Sequence, residues 1–371
     1  MKAISIGKTF EIYDDSLLTY DKLPPQTYTI RFSKMKGFYL ERHQEIEIKE
    51  SKIYGVHLKK VAKVINSFEL MDRNLGVILS GDKGIGKSLF AKILSNQCVE
   101  KGYPVIIVDT YYPGIASYIE DIEQECVILF DEFDKTFGEY SKNEGEVSPQ
   151  SSLLSLFDGI AQGKKLFVVT CNDLRYLNDY LVNRPGRFHY HIRFDYPSPI
   201  EIREYLTDKL NKEFINEIDK VVSFSRKINL NYDCLRAIAF EINLGESFED
   251  AIKDLNIINT RDERYNVKLI YSDGEELSCR NENIDMFSSS KDYFNLWNNN
   301  GEDIVTIHFI PKKDIKFDTT NYFHYVNPKD LEVSYDESYE KEDIDKYKNK
   351  EKEIQIVMIE KITTRNIHYD V

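Results

Sequence analysis

No stretch of this 371-residue sequence approaches the roughly 20 consecutive apolar residues that a membrane-crossing helix requires. Met1 to Asp15 alternates polar and apolar residues instead of opening on a long apolar run. Basic residues are also short, with 49 Lys and Arg against 63 Asp and Glu and a formal net charge of -14. A polyanion-binding surface normally shows an excess of Lys and Arg, so broad nucleic-acid binding is disfavoured and only a local basic patch stays open. Cysteine is sparse too. Cys98, Cys126, Cys171, Cys234 and Cys279 lack the close spacing of a metal site, and three of them sit in apolar runs typical of buried thiols. These absences point to a soluble, cytoplasmic protein of a reducing compartment, with no membrane span. Hydrophobic residues make up 42% of the chain, enough at this length for two or three domains with sizeable cores.

The hydrophobic pattern changes period along the chain. Tyr28–Phe32 and Glu45–Lys49 alternate with period two, with Leu23-Pro24-Pro25 as a turn, and predict a small β-rich N-terminal segment over residues 1–54. Val56 to Leu70 has helical spacing and precedes the apolar strand Leu75–Leu79. The amphipathic stretch Ser88–Lys101 follows. Val105–Asp109, Val127–Asp131 and Leu166–Thr170 are short continuous apolar runs, the pattern of parallel strands covered on both faces. An α/β core is therefore expected over residues 55–198. After Tyr196-Pro197-Ser198-Pro199, helical spacing with capping-type Asn231 and Asp233 predicts a helical lid over 199–262. Alternation at Val267–Tyr271 and Ile304–Ile310, with a turn at Asn298–Gly301, predicts a mainly β domain over 263–371. Within it, Ser334–Glu353 is a charged run expected to be a solvated helix or a flexible segment, and Ile354–Ile359 a last strand or short helix.

Gly81-Asp82-Lys83-Gly84-Ile85-Gly86-Lys87-Ser88 has the spacing of a phosphate-binding loop, between a predicted strand and a predicted helix. Glycines let successive backbone N–H groups converge on phosphate oxygens, and the helix N-terminus adds partial positive charge. Lys87 is placed to reach the β- and γ-phosphates of ATP and the Ser88 hydroxyl to ligate Mg²⁺, with Leu89 closing the nucleotide-binding stretch. Forty-four residues after Lys87, an apolar strand ends in Asp131-Glu132. There Asp131 is expected to hold Mg²⁺ through water and Glu132 to polarise the attacking water.

The runs Phe130-Asp131-Glu132-Phe133-Asp134, Thr170-Cys171-Asn172 and Arg184-Pro185-Gly186-Arg187-Phe188 resemble those of AAA+ ATPases, over roughly residues 55 to 257. The resemblance implies a P-loop NTPase parallel-sheet core with a helical lid. It also implies that Asn172 senses the γ-phosphate and that Arg184 and Arg187 act on the ATP of a neighbouring subunit. Arg236 is similar in position to a lid arginine that contacts the γ-phosphate in many members, though members with the Arg-Pro-Gly-Arg segment commonly lack it, and an exposed helix face is the alternative. The short span from Asp109 to Cys126, with Ser151–Gly159, is similar to that of the mitochondrial complex III assembly translocases, whose membrane anchor has no counterpart here. Tyr111-Tyr112 is either an aromatic pore loop or ordinary packing. His189 and His191 flank Tyr190 without a third metal ligand nearby.

Together these features predict a homo-oligomer, a hexameric ring, that hydrolyses Mg-ATP to remodel or translocate an unidentified protein substrate. Clamp-loader-like or phage-replication work on nucleic acid, and a nucleotide-dependent scaffold, stay open.

Overall fold

The structure is a computed structural model that describes residues 2–6, 8–44, 46–48, 52–55, 57–138, 149–158, 163–257 and 263–362. It forms two compact units, residues 1–195 and 196–371. Gly159 and Val56 of the sequence patterns above lie outside the described residues.

In the first unit, β1 (Lys2–Ile6) and β2 (Thr9–Tyr13) make a two-stranded hairpin. β3 (Thr27–Ser33) and β4 (Gly37–Arg42) make a second hairpin. The elements α1 (His57–Leu70), β5 (Leu75–Ser80), α2 (Lys87–Glu100), β6 (Val105–Val108), α3 (Ile115–Glu120) and β7 (Cys126–Phe130) follow. After α4 (Phe133–Thr136), α5 (Pro149–Ser152) and α6 (Leu154–Phe157) come β8 (Lys165–Cys171) and β9 (Tyr190–Arg193). Seven strands join in the order β4-β3-β6-β7-β8-β5-β9, all parallel except β4. Every residue of β5, β7 and β8 is buried, as expected where helices cover both faces of a parallel sheet. This is the α/β core of a P-loop NTPase. α1 buries His57, Val61, Val64, Ile65 and Phe68, one stripe at helical spacing.

The hairpin β3–β4 is hydrogen-bonded into this sheet, with Thr27 opposite Val105 and Thr29 opposite Ile107. Of the period-two run Glu45–Lys49, whose end residues Glu45 and Lys49 also lie outside the described residues, residues 46–48 carry no regular structure where a strand is expected, and the partner of β3 is Gly37–Arg42. The Ile46 carbonyl instead accepts the Asn96 side-chain amide of α2 at 2.9 Å. Alternation marks a segment that can pair; it does not supply a free edge, and β4 already occupies that of β3.

The second unit begins with α7 (Pro199–Lys209), α8 (Ile218–Ser225), α9 (Tyr232–Asn243) and α10 (Phe248–Asp254). Ser198 caps α7 in a capping box with Glu201, and Asn231 caps α9 by accepting the Cys234 N–H at 2.8 Å. Next come β10 (Arg264–Tyr271), β11 (Glu276–Asn283), β12 (Asp292–Leu296), β13 (Val305–Phe309), α11 (Pro311–Asp314), β14 (Ile315–Asp318), β15 (Phe323–Val326), β16 (Glu332–Tyr335), α12 (Lys341–Asn349) and β17 (Ile354–Lys361). The strands form two antiparallel sheets, β11-β10-β17-β15-β14 and β12-β13-β16, around a common core. The charged run contributes β16 and α12, and α12 buries Ile344 and Tyr347 against that core.

Candidate active site

Because β5, β7, β8 and β9 are parallel neighbours, the segments that leave their C-terminal ends emerge along one edge of the sheet. Register fixes who meets whom. Ser80 lies opposite Cys171 and Phe130 opposite Val169, so the loop starting at Gly81, the pair Asp131-Glu132 and Asn172 are adjacent. The three fragments singled out separately in the sequence thus converge.

The loop is shaped by glycine. Gly81, Gly84 and Gly86 all have positive φ, where a side chain would be strained. Space is short as well: a β-carbon on Gly81 would lie 2.3 Å from the Phe194 carbonyl oxygen, and one on Gly86 2.7 Å from His57 Nε2. Lys87 opens α2 and is buried. Its Nζ donates to the Gly81 and Asp82 carbonyls at 2.6 Å each and to Asn172 Oδ1 at 3.1 Å. The amine is thereby held across the mouth of the loop and joined to the β8 terminus. Burial pushes the Lys87 pKa down, opposed by Cys171, Asp82, Asp134 and Asp131. Lys83 and Ser88 are exposed, and Ile85 is buried inside the loop.

A hydroxyl from the end of β8 ties down the acidic pair that follows β7. Thr170 Oγ1 donates to Asp131 Oδ1 at 2.7 Å and accepts the Glu132 N–H at 2.8 Å. Glu132 has φ 46, left-handed for a residue with a side chain, a conformation that concentrates at functional sites. Its carboxylate is half exposed and pairs with Lys135. Asp134 is buried and accepts the Asn172 N–H at 2.9 Å and, at 3.4 Å, that of Asp173. Sequence reasoning gave no role to Thr170 or Asp134. Their signal is a polar residue at a buried strand end and an acidic residue one helical step beyond Asp131.

The hydroxyl of Ser88 and the carboxylate of Asp131 are hard oxygen donors of the kind Mg²⁺ takes, and the Asp131 carboxylate is already oriented by Thr170. The residues present therefore fit the ion. Among the described residues, no group of three or more His, Cys, Asp or Glu is placed to hold a metal by itself. His191 contacts Ser80 Oγ through Nε2 at 2.6 Å and so belongs to the sheet.

The arginine segment lies between β8 and β9. Gly76 permits this: a β-carbon there would come within 2.2 Å of the Arg187 carbonyl oxygen. The guanidinium of Arg187 is clamped on both oxygens of Asp158, with Nη2–Oδ2 at 2.6 Å, and donates through Nη1 to the Tyr180 carbonyl at 2.7 Å. That pairing pushes the Arg187 pKa up and the Asp158 pKa down. Arg184 is exposed, its guanidinium 5.4 Å from the Tyr180 ring centroid. Arg236, in the second unit, lies on the exposed side of α9, 3.5 Å from Asp233.

Tyr111 and Tyr112 both pack. Tyr111 meets Phe137 edge-on at 5.8 Å, and Tyr112 lies 5.6 Å from Phe32 and 6.3 Å from Phe38, on the hairpin β3–β4.

The sequence model of the family described as AAA, the ATPase family associated with various cellular activities, matches residues 77–196. The chain is similar to the ATP-dependent zinc metalloprotease FtsH of Mycoplasma genitalium, 27% identical over 256 residues, 65% of this chain and 34% of that protein. It is similar to ATP-dependent zinc metalloprotease FtsH 1 of Phytoplasma mali, 29% identical over 159 residues, 39% of this chain and 26% of that protein. It also matches the cell division cycle protein 48 homolog of Archaeoglobus fulgidus, 28% identical over 142 residues, 35% of this chain and 19% of that protein. The chain spans 34% or less of the length of each of these relatives. Among the described residues, no helix is long and apolar enough to cross a membrane.

Proposed function

With residues 77–196 belonging to the AAA ATPase family, we propose that this chain binds Mg-ATP and hydrolyses it in an oligomer to drive remodelling or translocation of a protein substrate. The observation that carries the hydrolytic part is the hydrogen-bonded connection from Lys87 through Asn172 to Asp134, beside the Thr170 bridge to Asp131 and Glu132.

In this reading the backbone of Gly81–Gly86 cradles the phosphates, while Lys87 exchanges its carbonyl partners for phosphate oxygens. Ser88 and Asp131 would hold Mg²⁺, which when bound neutralises charge on the phosphoryl oxygens. Glu132, freed from Lys135, polarises the attacking water, and Asn172 positions it. Arg184 is exposed and supplies positive charge to a neighbouring subunit's ATP, while Arg187 holds the segment through Asp158. Arg236 is retained as a candidate γ-phosphate contact. The functional division proposed is 1–54 for assembly or recruitment, 55–198 for ATP hydrolysis, 199–262 as lid and 263–371 as recruitment or assembly module.

The preference for a protein substrate rests on the acidic balance of the chain and on relatives named as a protease. ATP binding and turnover of Glu132→Gln test the core assignment. The variant is expected to bind ATP within about threefold of wild type and to hydrolyse it at least 100-fold more slowly. Hydrolysis at the wild-type rate would remove Glu132 from its role. Stimulation of turnover by an unfolded protein but not by DNA would support the substrate class; stimulation by DNA alone would reverse it.

A further inference from the structure

The second unit contains a buried cluster of nitrogen donors that the ATPase reading does not use. In the sheet β11-β10-β17-β15-β14, Tyr265 pairs with Lys361 and His324 with Ile359. Paired residues share a face, and residues two apart on one strand also share it. Tyr265, Lys361, Ile359 and His324 therefore line one side of the sheet, and all four are buried. The turn after α8 lies against that side, since the Tyr265 hydroxyl donates to the Lys227 carbonyl at 3.3 Å. This brings Arg226 and Lys227 over the strands. Glu263 ties the two layers, accepting the Asn229 amide at 2.9 Å and sitting 3.3 Å from Lys361 Nζ.

Three nitrogens in this cluster are buried and under-satisfied: His324 Nε2 and Arg226 Nε have no hydrogen-bond partner among the described residues, and Lys361 Nζ has only the Glu263 carboxylate oxygen at 3.3 Å, without hydrogen-bond geometry. Buried polar nitrogens are seldom left so, and three together mark a place where a further acceptor belongs. Among the described residues, few carboxylates can serve: Glu263 is shared between Asn229 and Lys361, Asp285 acts on Tyr265, and Glu360, whose charge reaches Arg226, alternates to the other face of β17 and pairs with Lys268 at 3.3 Å. A tetrahedral oxyanion suits donors arriving from different directions, because it offers several charged acceptor oxygens at once.

We propose that Arg226, Lys227, His324 and Lys361 form a binding site for a phosphate-type oxyanion, which pins the turn after α8 to the β sheet of the second unit. The electrostatics agree. Burial, then the charges of Lys227, Arg226 and Lys361, push the His324 pKa down to about 3, and burial brings Lys361 to about 8. A bound anion relieves this mutual repulsion.

The test uses the full chain carrying Lys87→Ala, so that the phosphate loop does not contribute, titrated with inorganic phosphate by calorimetry while the His324 ring is followed by NMR. One phosphate is expected per chain, with His324 moving from titration near pH 3 to titration near neutral pH. Lys361→Met and Arg226→Gln, added to this chain, should each weaken phosphate at least tenfold, and Lys361→Arg should restore it. In a chain with Lys87 intact, Lys361→Met should leave ATP affinity unchanged, which separates this site from the ATPase reading. Lys361→Met takes the ion-pair partner from the largely buried Glu263 and should cost some stability, whereas Lys361→Arg keeps the pair, so Tm of both variants without phosphate separates loss of folding from loss of binding. The proposal is overturned if Lys87→Ala binds no phosphate, if Lys361→Met binds it equally, if chloride produces the same response, or if His324 already titrates near neutral pH without phosphate because a carboxylate of the chain fills the site.

Discussion

Asp134 shows how much of the site depends on one buried carboxylate. It accepts the backbone N–H of Asn172 and so fixes the residue whose side chain also meets Lys87. Replacing it with Ala removes an acceptor from a buried N–H, which costs about 1–3 kcal/mol of stability, and lets the β8 terminus shift. Asp134 acts through the backbone of Asn172, so it is assigned as a positioning residue. Asp134→Ala should lower kcat about tenfold to 100-fold while ATP affinity changes less than threefold, measured by steady-state turnover beside nucleotide binding. A loss of affinity without a loss of turnover would mean that the Asn172 backbone needs no such anchor. The cysteines give a second residue-scale expectation. Burial pushes Cys98, Cys126 and Cys171 up to about 12, so their reactive thiolates are suppressed. Half-buried Cys234 should be alkylated first under native conditions, with the other four, Cys279 included, labelled on unfolding, as read by mass spectrometry.

Among the elements, the strand β5 carries the loop at its C-terminal end and, through Gly76 near its start, supports the arginine segment. Gly76→Ala would place a β-carbon against the Arg187 carbonyl and the Phe188 ring. The variant should lose turnover and stability together, because the displaced element is Arg184–Phe188 and the strand itself must also yield. The second unit has its own signature in pH. With the folded His324 pKa near 3 and the ordinary value at 6.5, the unfolded chain binds a proton in this window that the folded chain does not. Stability therefore falls as pH drops from 6.5 toward 3, by up to about 1.4 kcal/mol per pH unit from this group. Urea unfolding at pH 7, 6 and 5 in phosphate-free buffer should show a shallower slope for His324→Gln than for wild type. The elements of the core were largely legible beforehand. Buried parallel strands read as continuous apolar runs, and the loop Gly81–Ser88 has fixed spacing, so β5 to β8, Lys87 and Asp131 were placed by pattern alone. What pattern could not carry was partnership. Alternation predicts a strand at Glu45–Lys49, yet the described residues 46–48 pair with no strand and β3 takes Gly37–Arg42 instead; the cluster around His324 arises from register between β10, β15 and β17, which are far apart in sequence.

For the whole molecule, the two arginines make different demands on assembly. Arg187 is satisfied within its own chain by Asp158 and the Tyr180 carbonyl, whereas Arg184 faces solvent over Tyr180. If ATP lies between subunits, the P-loop of one chain needs Arg184 of the next. Arg184→Ala and Lys87→Ala should then each be inactive alone, for opposite reasons. In a random equal mixture, half of the loops are intact and half of the neighbours carry the arginine, so about a quarter of the interfaces regain activity. Arg187→Ala should be rescued in the same mixture, because the Lys87→Ala chain brings an intact segment. It should also lower Tm by a few degrees, since an Asp158 carboxylate and a backbone carbonyl lose a charged donor, while Arg184→Ala leaves Tm unchanged. Turnover of mixtures across a concentration series, with Tm of each variant, checks this. Absence of rescue at concentrations where the chains associate would confine both arginines to their own subunit.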